Sequence, residues 1–241
     1  MAIETLIPIV SKSLSSWVML SSKYAPYAST VVFMAPIPTI RKMIVSRSVG
    51  GLPLLPYSSM VANCFVWIVY GLLIQEKKVW RTNALGGGLA LLYCNEYRKY
   101  SAKSSTKIFE HVYAVSFVAM LTSFFALALP AQVARNFVGA EGVLLCILLF
   151  ASPLATLKQV IETKSARLIP LPFTLACLIN CILWVIVGWF ELNDFMIYAP
   201  NLLGFACALA QVGLKIVYGS EASKKNDSEG NTRERAFVLP V

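Results

Sequence analysis

The chain has 241 residues, 57% of them apolar and only 14% charged, with a net charge of +9. A soluble domain carries about a quarter charged residues, so much of the apolar surface here has to face lipid rather than water. The 21 bases fall in short clusters between apolar runs, which marks membrane topology and leaves no continuous basic face for nucleic acid.

Residues 1–23 place Glu4 where a signal peptide is basic and Lys12 in its middle, so they read as an uncleaved, amphipathic or disordered lead-in. Seven apolar runs follow, at roughly 25–45, 55–75, 80–99, 109–131, 140–161, 169–190 and 195–219. Each has, or nearly has, the ~20 residues that cross the hydrocarbon core as a helix. The third is the most polar, with Asn83, Asn95 and Glu96 near its ends. The runs are continuous rather than alternating, which excludes barrel strands. The tail from 220 to 241 is rich in Ser, Lys, Asn, Asp and Glu and reads as disordered.

Fifteen bases lie in the first, third and fifth connections and the tail, against six on the opposite side. The bias places those loops and the C-terminus in the cytosol and the N-terminus outside or in a lumen. The formal sequon at Asn226 then lies where glycosylation does not occur.

The six cysteines sit inside apolar runs, apart from the single His111, and read as reduced, space-filling thiols with no metal site. No catalytic constellation is present, which argues against an enzyme. The carboxylates, Glu141 and Asp194 among them, fall near predicted helix ends. A carrier coupled to protons or sodium needs ionisable groups along its path, so this pattern favours uncoupled, facilitated movement.

The chain repeats itself at an offset of 117 residues: Pro36 with Pro153, Thr39 with Thr156, Ser48 with Ser165, Pro53 with Pro170, Asn63 with Asn180, Cys64 with Cys181, Trp67 with Trp184 and Gly71 with Gly188. One residue of shift then pairs Asn83 with Asn201 and Gly86 with Gly204. Apolar bias does not align Pro, Asn, Trp and Gly in order. The fold expected is therefore all-α and polytopic, with seven transmembrane helices as two parallel three-helix bundles. These are residues 24–100 and 139–219, joined by a linker helix within 101–138. Three crossings is an odd number, so the linker must cross as well if both bundles are to point the same way. A seven-helix receptor or a membrane scaffold, the rival readings, requires no such repeat.

The phrases Asn63-Cys64-Phe65-Val66-Trp67, Tyr70-Gly71, Asn83-Ala84-Leu85-Gly86 and Ala199-Pro200-Asn201-Leu202-Leu203-Gly204 resemble both units of the SWEET sugar transporters, themselves an example of parallel repeats about an axis along the membrane normal. The resemblance implies a facilitative, bidirectional uniporter working by alternating access in the plasma membrane or an endomembrane. Its substrate is a mono- or disaccharide, the present side chains leaning to hexose, and it needs no cofactor. It implies that Asn83 and Asn201 bind sugar hydroxyls and that Trp67 and Trp184 wall the pocket. Asn63 and Asn180, one turn before each Trp, either line the cavity or bridge helices. Ser29, Val32, Cys146 and Leu149 match pocket-lining positions. Four prolines are implied as hinges. Pro36 and Pro153 are two of them, and spacing from Ser48 and Ser165 selects Pro56 and Pro170, although the ungapped repeat pairs Pro53 with Pro170. The small size of a three-helix unit makes a homo-oligomer an expectation. Gly86, Gly87 and Gly88 lack the Lys and Ser/Thr of a phosphate loop and read as close helix packing.

Overall fold

The structure, a computed structural model, describes the backbone of residues 2–101 and 106–237 and the side chains of 14–101, 108–150 and 153–219. Every regular element among the described residues is helical: α1 (Ala2–Met34), α2 (Ile37–Ser46), α3 (Leu55–Leu73), α4 (Lys77–Tyr100), α5 (Thr106–Ala128), α6 (Ala131–Leu149), α7 (Ala151–Thr163), α8 (Leu171–Ile186) and α9 (Phe195–Phe237). Among the described residues, six stretches are both long and apolar enough to cross a membrane: Leu14–Ser46, Leu55–Leu73, Ile108–Ala128, Ala131–Thr163, Leu171–Glu191 and Phe195–Gly219. The third run, α4, has 24 residues and the length to cross, but a lower mean hydropathy. It can be more polar because α1, α2 and α3 all pack on it and shield it.

The first helix of each unit begins earlier than hydropathy places it. α1 starts at Ala2 rather than near 25, so the lead-in is helical along its described length. Leu14, Val18 and Ser22 recur every four residues and lie along Phe190 and Glu191, which gives that extension a partner. α6 starts at Ala131 rather than near 140, because Arg135 and Glu141 dilute the apolar run while being bonded within the protein. Glu141 is consequently not near a helix end: it lies about 15 Å along α6. The tail also departs from expectation, since the backbone of α9 is helical to Phe237.

Prolines break the first helix of each unit. Pro36 and Pro38 have no N–H for the carbonyls of Val32 and Met34, and α1 yields to α2 through Ala35–Pro36. Pro153 likewise abandons the carbonyl of Leu149, and the break between α6 and α7 falls at Phe150. Pro56 is the second residue of α3 and Pro170 immediately precedes α8. In a first turn the missing N–H breaks no helix bond, so these two prolines set where a helix begins without kinking it.

The two units match in backbone detail. Arg47 and Lys164 are both left-handed at φ 53°, as are Gln75 and Asn193 at φ 56° and 48°. Gly71 O accepts from Glu76 N at 2.8 Å, and Gly188 O accepts from Asp194 N at 2.8 Å. The second connection is one residue longer, and a π-helical turn over Val187–Glu191 absorbs the extra residue. This is the physical origin of the shift from 117 to 118.

Within a unit the first helix packs on the third rather than the second. α1 lies on α4 and α4 on α3, while α6 lies on α9 and α9 on α8. The units then join reciprocally, α1 against α8 and α6 against α3. The result is a closed ring of six crossings, α1–α4–α3–α6–α9–α8, with α5 outside it against α3 and α6. Gly71 and Gly188 permit the tight turn-in of each hairpin: a Cβ would stand 2.6 Å from the Trp80 backbone N and 2.9 Å from the Tyr198 backbone N, respectively. Both units run in the same direction, since Ser22, Tyr70, Lys78, Arg135, Glu191 and Asp194 all meet at one face.

Candidate substrate cavity

A cavity of about 170 Å³ lies on the ring axis, and all six ring crossings contribute to it. Its walls come in repeat pairs: Ser29 with Cys146, Phe33 with Phe150, Asn63 with Asn180, Trp67 with Trp184, Val79 with Ile197, and Asn83 with Asn201, with Pro200 completing the lining.

Asn83 donates from Nδ2 to the Val79 carbonyl at 2.9 Å, and Asn201 donates to the Ile197 carbonyl at 2.8 Å. Each amide is anchored one turn back along its own helix. That spends one of two N–H groups and leaves a donor and a carbonyl acceptor available. Ser29 donates to Asn180 Oδ1 at 2.7 Å and accepts from Trp184 Nε1 at 2.8 Å. Its repeat partner Cys146 donates to Asn63 Oδ1 at 3.6 Å. Each unit's first helix therefore clasps the second helix of the other unit beside the cavity. Asn63 and Asn180 lie in the cavity lining and also bond across to the other unit.

Two expected positions are not part of the lining. Val32 and Leu149 are replaced by Phe33 and Phe150, each one residue further on. Positions 29 and 33, like 146 and 150, are four apart and share a helix face, and 32 and 149 lie about 100° round the helix from 33 and 150. The rings are seated by the glycines that follow each asparagine: a Cβ on Gly86 would stand 2.6 Å from the Phe33 ring, and one on Gly204 3.0 Å from the Phe150 ring. Gly86 and Gly87 thus serve close packing as expected, while Gly88 faces open space. Phe33 and Phe150 obey the 117-residue offset, so the repeat itself carried the signal for them.

On one side of the cavity the units are sealed together. Ala25, Val66, Trp67, Tyr70, Val79, Val138, Trp184, Val187 and Ile197 form one apolar cluster drawn from both. Beyond it, Asp194 is 4% exposed and accepts from the Tyr70 hydroxyl at 2.9 and 2.8 Å. It also accepts from Arg135 Nη2 at 2.8 Å and from the Met196 backbone N–H at 3.0 Å. Lys78 pairs with Glu191 of the other unit and donates to Ser22 at 2.8 Å. On the basic side the apolar clusters are separate. Ile40, Met43, Tyr57 and Tyr93 pack within the first unit, and Val160, Ala166 and Ile169 with Leu214 and Tyr218 within the second. The two units are thus locked at one end and divided at the other.

The Tyr70–Asp194–Arg135 lock escapes a repeat-based reading, because Tyr70 and Arg135 correspond to Val187 and Val18. Asp194 does fall at a helix end, immediately before α9, but there it is a buried, paired carboxylate. Glu141 points instead to α5, accepting from the Thr122 hydroxyl at 3.0 Å while its other oxygen has no partner among the described residues.

Comparison with known proteins agrees with this architecture. Residues 22–105 and 136–223 each match a family described as sugar efflux transporter for intercellular exchange. A bidirectional sugar transporter SWEET12 of Oryza sativa subsp. japonica is 26% identical over 204 residues, covering 83% of this chain and 67% of that protein. A sugar transporter SWEET1 of Xenopus tropicalis is 27% identical, covering 82% and 92% respectively. The solved structure of a eukaryotic SWEET transporter at 3.7 Å superposes with a TM-score of 0.78 at 25% identity, over 86% of this chain and 99% of that one. Two matched repeats, a shared fold and a membrane-spanning helical ring place this multi-pass membrane protein in the SWEET family of sugar transporters rather than among enzymes.

Proposed function

We propose that this chain lets a sugar, preferentially a hexose, cross the membrane down its gradient by alternating access. The observation that carries the proposal is the axial cavity with two anchored asparagines and two tryptophans in symmetric pairs. A sugar ring offers hydroxyls at its edge and C–H groups on its faces. Asn83 and Asn201 supply a donor and an acceptor each for the edge, and Trp67 and Trp184 supply flat apolar surface for the faces. The volume of about 170 Å³ lies below the ~300–1,000 Å³ of typical ligand sites, which favours one ring over two.

Among the described residues the cavity lining holds no carboxylate, lysine, arginine or histidine, and Glu141 faces α5 rather than the axis. No described side chain lining the cavity itself is a carboxylate or a base that would take up a proton there, which supports uniport. Alternation is a rocking of the two units: the lock at Asp194 opens as the divided basic halves close, with the breaks at Pro36 and Pro153 absorbing the bend. Pro56 and Pro170 mark the helix starts against which those halves move. We place the basic face in the cytosol by its excess of Lys and Arg, and the protein in the plasma membrane or an endomembrane.

Asn83→Ala and Asn201→Ala test the site. Radiolabelled glucose uptake into liposomes should fall at least tenfold in either variant, with protein incorporation unchanged. Uptake at the wild-type rate in both would remove the assignment.

A further inference from the structure

A second cavity, of about 280 Å³, opens away from the ring axis between α3, α4 and α5. Its lining mixes polar and apolar side chains. At the basic face it holds Arg98, with Ser58 and His111 joined at 2.9 Å across the seam between α3 and α5, beside Leu54 and Ile108. Further along α4 and α5 it holds Leu91 and Val115, with Val112 one residue beyond His111 and Ser116 at the inner end. From Arg98 to Leu91 is seven residues of α4, about 10 Å of depth, or a third of the ~30 Å hydrocarbon core.

Two features specify the occupant. Arg98 is exposed, and among the described residues its hydrogen-bond contact is a long one, 3.4 Å to the neutral Asn95 side chain, with no carboxylate within ion-pair distance. Leu91 and Val112, 59% and 54% exposed, form an apolar wall below it. A cation at the interface above an apolar slot complements a molecule with a phosphate at one end and a hydrocarbon chain at the other. A free phosphate satisfies only the upper half.

We propose that this groove binds an anionic glycerophospholipid from the leaflet on the basic face, its phosphate on the Arg98 guanidinium and one acyl chain along Leu91, Val112 and Val115. The bound lipid fills the seam where the linker helix α5 meets the first unit, so it holds α5 against α3 beside the Ser58–His111 bond.

The test uses the purified full chain in phosphatidylcholine nanodiscs doped with phosphatidylglycerol. Retained lipid is read by native mass spectrometry, and glucose flux in liposomes confirms that each variant folds. Wild-type protein should retain one phosphatidylglycerol in preference to phosphatidylcholine. Arg98→Gln should reduce that preference about fivefold, the factor for about 1 kcal/mol per basic side chain at an anionic surface. Val112→Trp, which fills the slot, should abolish retention of either lipid. Leu127→Trp, on the same helix but outside the groove, should change nothing. Equal retention of the two lipids by wild type, or unchanged preference in Arg98→Gln, would overturn the proposal. So would full competition by inorganic phosphate alone, which would mark an ion site, or cross-linking of Val112→Cys to a second copy in lipid, which would mark a protein interface.

Discussion

Tyr70→Phe removes a single oxygen from the lock that joins the two units. The Tyr70 hydroxyl is fully buried and shared between both oxygens of Asp194. Hydrogen bonds to a charged partner contribute about 1.5–3 kcal/mol. Asp194 keeps Arg135 and the Met196 N–H after the substitution, so the loss falls at the lower end, about 1.5 kcal/mol. In the proposed alternation that bond exists only while the Asp194 end is shut. Its removal therefore shifts the balance between the two open states by about tenfold toward opening at that end. Cys146 lines the cavity and serves as a native reporter. A membrane-impermeant thiol reagent applied from the Asp194 side should modify it about tenfold faster in Tyr70→Phe than in wild type. The increment should vanish in Tyr70→Phe/Cys146→Ser. Equal labelling rates, in protein inserted to equal levels, would refute the lock.

Gly71→Ala should lower the thermal midpoint in detergent by several degrees, because its Cβ would meet the Trp80 backbone N at 2.6 Å and overpacking costs about 1–3 kcal/mol. An unchanged midpoint would mean that the α3–α4 hairpin is looser than described. Glu141→Gln should keep glucose flux within about twofold of wild type, and wild-type flux should be flat between pH 5 and 8, as uncoupled transport requires. A steep pH profile erased by Glu141→Gln would instead make the Glu141–Thr122 pair a proton site.

The duplication was legible in the residues themselves, because Pro, Asn, Trp and Gly at fixed offsets resist explanation by apolar bias. It also carried the paired character of the cavity, although the pairing alone did not single out Phe33 and Phe150. Two kinds of residue stayed hidden. Polar residues inside helices, such as Arg135 and Glu141, lower local hydropathy whether or not they find partners, so the true starts of α1 and α6 were displaced. Residues without a repeat partner, Tyr70 and Arg135 above all, give a symmetry argument nothing to align.

Composition, base clustering and internal repetition determined that this chain crosses a membrane as two like-oriented units around a linker, since each depends on residue type and spacing alone. Which helix of one unit meets which of the other depends on shape. Only the tertiary packing decided that the six crossings close into a ring, that Phe33 and Phe150 rather than Val32 and Leu149 face its axis, and that Tyr70, Asp194 and Arg135, far apart in sequence, converge to lock one end.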